Sequence, residues 1–237
     1  ENLHRFLTGL LDFIQNANEL PGKKMVLANI IDTSPTVQTL TQLAQEKSWK
    51  IESEVLEVAP YIRLAQNFEA YLAQIDKKQR HEIRRKLRNA QNNAKVELQF
   101  VNQLERLEEN IAHFIHLMGQ DAGKAQFLNP DMVAFFEGFI QNSFAQGNLV
   151  FTWLSIDGQH ASGYLSLIQN DTLYVYNSCW DLAFASYSPG WVHLSLLIDW
   201  AISQKLSEVD MMRGDEIYKY RFGGIDRKVL QICFKPG

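Results

Sequence analysis

Two short stretches toward the C-terminal end hold most of the residues whose types and spacing suit chemistry. In the first, Ser188-Pro189-Gly190-Trp191 stands directly before an apolar run that reads as a helix, with Val192, Leu194, Leu196, Leu197, Trp200, Ala201 and Ile202 buried on most sides. A helix start offers unpaired backbone N–H groups and the positive end of the macrodipole, which together cradle a phosphate. Gly190 has no side chain, so a pyrophosphate can approach its main chain closely. The same proline and glycine also serve as a plain loop-to-helix corner. The second stretch runs Asp210-Met211-Met212-Arg213-Gly214-Asp215-Glu216-Ile217-Tyr218-Lys219-Tyr220-Arg221-Phe222-Gly223. In it Arg213, Lys219 and Arg221 are candidates for holding an anionic acceptor or a phosphate, a surface lysine being the plainer reading of Lys219.

A third cluster lies upstream. From Lys77 to Arg88 seven basic residues (Lys77, Lys78, Arg80, Arg84, Arg85, Lys86, Arg88) stand against Glu82 alone. The guanidinium forks of Arg84, Arg85 and Arg88 suit a phosphorylated or carboxylated acceptor. An ordinary solvated helix face explains them equally well, and a tRNA-binding patch is the third choice. Tyr176, Asn177 and Asp181, on and just after a strand, are candidates to line an acceptor groove, although Asp181 also fits strand-end turn chemistry. His113 and His116 sit one helical turn apart without a third ligand, so core or surface histidines are expected rather than a metal. His193 reads as a packed histidine. There is no Gly-x-Ser-x-Gly elbow and no Gly-x-x-x-x-Gly-Lys phosphate loop, which leaves hydrolase and nucleotide-triphosphatase readings without support.

The elements that must position these residues follow from patterning. Leu3, Phe6, Leu7, Leu10, Leu11 and Ile14 recur at helical spacing, Pro21-Gly22 breaks the chain, and Met25 to Ile31 reads as a buried strand. Asp32 to Pro35 supplies cap and first-turn chemistry for a helix through about Lys47. Trp49 to Val58 reads as a strand ended by Pro60. This helix–strand alternation predicts a mostly parallel arrangement. Residues 67–94 read as two helical segments, the first capped by Asn67. A strand over Val96–Val101 follows. Next comes a helix carrying Leu107, Ile111, Phe114, Ile115 and Met118. Another starts at Asn129-Pro130, with Met132, Phe135, Phe136, Phe139 and Ile140 facing inward. After Gly147 the pattern becomes an antiparallel meander: Leu149–Ile156, the Asp157-Gly158 turn, Ala161–Ile168, the Asn170-Asp171 turn, and Leu173–Cys179. Val209–Met212 and Val229–Phe234 close the chain as strands.

Composition bounds what this scaffold can be. At 237 residues, 46% apolar and 21% charged, the chain is neither disordered nor fibrous. Twenty-three basic against 27 acidic residues give a net charge of −4, which argues against a broad nucleic-acid binder. Cys179 and Cys233 are too few for a disulfide framework, so a reducing, cytoplasmic setting with both thiols buried is expected. No run reaches the length of a membrane span. The chain opens on Glu1 without a basic-then-apolar leader and reads as a fragment, with any upstream signal lying outside it.

The Ser188-Pro189-Gly190 corner, the Arg213-Gly214-Asp215-Glu216-x-Tyr218-Lys219-Tyr220-Arg221 string and the basic helix together resemble one family. It is the GNAT-like acetyltransferase family of the cellulose and exopolysaccharide biosynthesis (CelD) type, related to the Fem peptidoglycan aminoacyltransferases. The resemblance covers residues 60–225. It implies an α/β (α+β) fold of the GNAT acyl-CoA N-acyltransferase kind, built as two GNAT-like halves with the first truncated. Residues 1–66 would be the end of the first half, 67–94 a basic helical connector, and 95–237 the second, acyltransferase half. It also implies acetyl-CoA or another acyl-CoA as co-substrate, with no metal. The donor would lie in a wedge between the Leu173–Cys179 and Val209–Met212 strands, its pyrophosphate at Ser188, Pro189, Gly190 and Trp191. An amine or hydroxyl of a small or glycan-precursor acceptor would receive the acyl group.

Attack on a thioester needs a base and a proton source for the departing sulfur. Asp215 and Glu216 are the base candidates, helix-start chemistry being their plainer role. Tyr218 and Tyr220 occupy the region where GNAT enzymes keep a general-acid tyrosine. The chain departs from the usual Gln/Arg-x-x-Gly-x-Gly/Ala loop, of which only Gly190 remains. A Fem-like transfer from aminoacyl-tRNA and a non-catalytic GNAT-like binding module stand as alternatives.

Overall fold

The computed structural model describes residues 2–17 and 23–237; the Glu1 start and the Pro21-Gly22 break lie outside them. In chain order the elements begin with α1 (Asn2–Asn16), β1 (Met25–Ile31), α2 (Pro35–Glu46), β2 (Lys50–Arg63), α3 (Phe68–Gln74) and α4 (Lys77–Asn93). Next come β3 (Val96–Phe100), α5 (Leu107–Met118), α6 (Ala122–Ala125), α7 (Pro130–Ala145), β4 (Leu149–Ile156), β5 (Gln159–Gln169) and β6 (Thr172–Trp180). The chain ends with α8 (Pro189–Ser203), β7 (Glu208–Asp210), α9 (Ile217–Arg221) and β8 (Ile225–Lys235). They form two compact units, one of residues 1–60, 213–217 and 225–237, the other of 61–212 and 218–224.

In the first unit the strand order is β1-β8-β2. The C-terminal strand β8 lies against β1 as an antiparallel neighbour, Met25 opposite Phe234 and Ile31 opposite Val229. This corrects the expected parallel arrangement: β1 and β2 are not neighbours joined by a crossover, because a strand from the far end of the chain occupies the place between them. Helices α1 and α2 cover this sheet, with Leu7, Leu11, Leu40 and Leu43 packed on Ile232 and Phe234. Ser34 caps α2 through the Thr36 N–H and Pro35 takes the first turn, as the sequence predicts. Strand β2 runs on through Pro60 to Arg63 rather than ending there. Its ladder to β7 begins at Tyr61, so the residue without an N–H sits just ahead of the bonds it would otherwise miss.

The second unit holds the order β2-β7-β6-β5-β4-β3. The pairs β3–β4, β4–β5 and β5–β6 are antiparallel, and β6–β7 is parallel. The two meander turns use residues that tolerate positive φ, Asp157 and Gly158 at +50° and +82° and Asn170 and Asp171 at +48° and +58°. One face is covered by α3, α4 and α8, whose Tyr71, Leu72, Ile83, Leu194, Leu197 and Ile198 pack on Leu173, Val175 and Val209. On a separate core, α5 and α7 place Ile111, Phe114, Phe136 and Ile140 against Phe151, Trp153 and Leu165. Phe135 does not face inward as expected. It lies about a quarter-turn from Phe136, is 48% exposed and stacks on Phe139. Cys179 is buried and Cys233 only half-buried, so one of the two thiols departs from expectation.

Candidate active site

The site begins where two parallel strands part. β6 and β7 pair only over Thr172–Tyr174 and Glu208–Asp210. β7 then ends, while β6 continues to Trp180 paired on its other edge with β5. Beside this fork α8 starts. Its N-cap Ser188 is left-handed (φ +54°, ψ +55°), and the hydroxyl makes no cap bond to the helix. Instead the Ser188 Oγ accepts a hydrogen bond from Lys86 Nζ at 2.8 Å. The N–H groups of Trp191 and Val192 both bond the Ser188 carbonyl. Pro189 has no N–H, so the Gly190 N–H is the first amide of the helix and lies ahead of its intrahelical ladder.

A cavity of about 340 Å³ opens at this point. Ser188 to Trp191 form one wall, Tyr164 of β5 with Ser178 and Trp180 of β6 another, and Lys86 and Tyr218 the sides. A Cβ added at Gly190 would meet nothing within 4 Å, so the helix start is open to the cavity. The Lys86 ammonium also lies 4.9 Å from the Trp191 ring centre and 3.6 Å from Glu82. Burial pushes the Tyr164 phenol well above its usual range, Tyr218 nearby adds to this, and a hydrogen bond with the Ser178 side chain opposes it. Tyr164 therefore stays a neutral phenol in the wall.

The walls are braced from behind. His193 on the first turns of α8 is fully buried, its Nδ1 2.8 Å from Ser162 Oγ and its Nε2 2.9 Å from Thr152 Oγ1. Ser162 Oγ in turn lies 3.5 Å from the Pro189 carbonyl, and the His193 ring packs edge-on to Tyr164 at 4.7 Å. Burial drives the imidazole pKa down to about 3, so His193 is neutral and packed, as expected. The segment carrying Tyr218 is held at both ends. The Asp210 carboxylate accepts from the Met212 N–H at 2.8 Å, Lys219 Nζ donates to the Met212 carbonyl at 3.1 Å, and Tyr71 Oη donates to the Phe222 carbonyl at 2.9 Å.

Of the residues singled out in the sequence, Ser188, Pro189, Gly190, Trp191 and Tyr218 come together around this cavity. Lys219 is 2% exposed, so it is not the surface lysine its polar neighbours suggest. Arg84 pairs with Glu69 and Arg85 with Glu82, and Arg88 Nε bonds the Arg84 carbonyl; none of the three lines the cavity. Tyr176 packs on Phe136 and Phe139, and Asn177 Oδ1 accepts from Lys124 Nζ at 3.1 Å. Asp181 caps the turn at Ala183, the strand-end role rather than a groove position. Arg213, Asp215 and Glu216 belong to the first unit. There Arg213 binds Glu57 at 2.8 Å and Asn29 at 2.9 Å, and the Glu216 carboxylate lies over Gly214, where a Cβ would come within 2.6 Å of it. Arg221 lies 6.0 Å from the Trp191 ring centre.

Lys86 is the one charged side chain among the described residues that line the cavity, and the sequence offers it only as one cation of the Lys77–Arg88 run. The signal was present: Ile83 and Ala90 are fully buried on α4, and Lys86 falls one turn after Ile83 on that same stripe. Among the described residues no group of three or more His, Cys, Asp or Glu side chains could hold a metal. No described helix is long and apolar enough to cross a membrane.

A sequence profile described as an acetyltransferase (GNAT) domain matches residues 77–220. No curated protein matches the chain. Among solved structures the fold is similar to FemX, with a TM-score of 0.70 at 12% identity over 97% of this chain and 76% of that one. It is also similar to a conserved protein of unknown function from Bacteroides thetaiotaomicron VPI-5482 (TM-score 0.68, 11% identity, 97% and 75% covered). A third likeness is to the C-terminal domain of a putative lysylphosphatidylglycerol synthetase from Agrobacterium fabrum (0.63, 9%, 96% and 72%). At these identities the likenesses concern the fold. The profile match runs from α4 into α9 and takes in the fork, the start of α8 and Tyr218; on it, this chain belongs to the acetyltransferase (GNAT) domain family.

Proposed function

We propose that the chain is an acyltransferase that moves an acetyl or other acyl group from an acyl-CoA to an amine or hydroxyl of a small or envelope-polysaccharide acceptor, in the manner of CelD-type proteins. The observation that carries this reading is the uncapped start of α8 facing a cavity at the fork of β6 and β7. The residues present fit a CoA thioester. Gly190 leaves room for a pyrophosphate against the main chain, and Lys86 holds an ammonium beside the same N-cap. The donor supplies an activated acyl carbon. Main-chain N–H groups at the helix start and the Ser188 hydroxyl bind the phosphates, and Lys86 offsets their charge. Trp180 and Trp191 shield part of the cavity from water. Tyr218 gives its phenolic proton to the departing sulfur, and the proton of the acceptor passes to solvent.

Calorimetry with acetyl-CoA on the intact chain tests the donor. Binding is expected, and Lys86→Met, which keeps the stem and removes the charge, should weaken it about 10- to 100-fold. Gly190→Ala should leave the fold as stable or up to about 1 kcal/mol more stable, because the methyl meets open space, while lowering affinity at least tenfold. Failure to bind acetyl-CoA together with tight binding of aminoacyl-tRNA would replace this reading with the Fem-like one. Binding neither would leave a non-catalytic module.

A further inference from the structure

The fork that opens the cavity depends on where β7 stops. Asp210 is the last β7 residue paired on both sides, opposite Tyr61 of β2 and Tyr174 of β6. β6 runs on to Trp180, so from Val175 onward its edge on that side offers main-chain groups that an extended neighbour would pair. Met211 goes into the core, 2% exposed. Met212 then turns left-handed, at φ +57°. Glycine enters that region freely and asparagine often, but for a methionine it is strained. Two buried side chains hold it there. Asp210, 7% exposed, accepts from the Met212 N–H at 2.8 Å, and Lys219, 2% exposed, donates to the Met212 carbonyl at 3.1 Å. Both main-chain polar groups of the strained residue are thus gripped at the point where the strands part.

A chain that stayed extended here would follow β6 and close the fork, since each further pair of residues adds ladder bonds. The left-handed turn prevents this, and the lysine that holds it stands next to Tyr218 in the chain. We propose that Lys219 and Asp210 are positioning residues that keep the donor cavity open by fixing Met212 left-handed, and that the Lys219 bond also sets Tyr218 at the cavity. This rests on the acyl-donor reading above. Neither Lys219 nor Met212 lines the cavity, so the effect passes through the Met212 main chain. It gives a reason for a lysine to be buried in a polar string, where solvent would otherwise hold it better.

The test is a short series of variants of the intact chain, read by calorimetry with acetyl-CoA and by thermal melting without it. Met212→Gly, which enters the left-handed region without strain, should bind acetyl-CoA at least as tightly as the parent chain. Met212→Val, whose branched Cβ disfavours that region, should weaken binding about tenfold or more. Lys219→Met keeps the apolar stem and removes the donor, and should weaken binding by about the same factor. In the Met212→Gly background the same change should weaken it less than about threefold, because glycine reaches the turn without the clamp. A lysine that only supports the fold would lower the melting temperature in both backgrounds and leave the affinity of the folded chain alone. That result, equal affinities for the glycine and valine variants, or an equal loss of affinity from Lys219→Met in both backgrounds overturns the proposal and leaves the donor reading intact. If Lys219→Met does not fold, the glycine and valine variants decide the matter. Failure of the parent chain to bind acetyl-CoA overturns the donor reading and this proposal with it.

Discussion

Replacing Tyr218 with Phe is expected to lower kcat for acyl transfer by about 10²- to 10⁴-fold with little change in KM for the donor. The ring lines the cavity at the fork, and a phenylalanine keeps its packing while removing the one proton in question. Tyr164, which also lines the cavity, cannot take over easily. It is 4% exposed, bonded to the Ser178 side chain and held neutral by burial. Tyr220, which does not line the cavity, provides the control, and Tyr220→Phe should turn over normally. Steady-state kinetics with acetyl-CoA and a generic amine would read both. Full activity in Tyr218→Phe would remove Tyr218 from the chemistry and move the proton source elsewhere.

Acid should destabilise this protein through His193 in a defined window. The folded imidazole titrates at about 3 and an unfolded one near 6.5, so between those values the unfolded chain holds a proton that the folded chain does not. Stability is therefore complete above pH 6.5 and falls as pH drops, by roughly 2–3 kcal/mol at pH 4.5 and on the order of 4–5 kcal/mol near pH 3 from this group alone. Its packed neighbours are the hydroxyls of Thr152 and Ser162 and the Tyr164 ring, none of which offers a carboxylate to hold the charged form. Urea unfolding at pH 7 and pH 4.5 measures the slope. His193→Gln, whose amide can still bridge two hydroxyls, should lose that part of the pH dependence and retain donor binding. Parallel pH curves for the two proteins would show that His193 takes no part in acid unfolding.

What could be read in advance was mostly local. The two meander turns, the caps at Ser34 and Asn67 and the buried helix after Pro189-Gly190 all follow from neighbouring residues, and each appears where expected. The place of β8 between β1 and β2 depends on residues some two hundred positions apart, and no period in either strand announces it. Pro60 misled for a related reason: whether a proline ends a strand depends on which of its neighbours needs an N–H there, and that is a property of the sheet. At the site, the helix start was legible because proline and glycine act through the main chain. Lys86 was hidden among seven cations of one run, and only the helical phase set by Ile83 and Ala90 distinguishes it. Lys219 shows the opposite failure. A polar, aromatic-rich string reads as surface, yet the packing of α9 buries its lysine on the Met212 carbonyl.

The diverted Ser188 hydroxyl has a practical consequence. A helix whose cap side chain bonds a lysine instead of its own first turn is left to be completed by whatever anion settles there. Anything bound only in the folded form raises the melting temperature in proportion to the logarithm of its concentration over its dissociation constant. A simple thermal-shift screen of phosphorylated compounds thus offers a turnover-free route to the natural donor, with the wanted molecule announcing itself as extra heat tolerance.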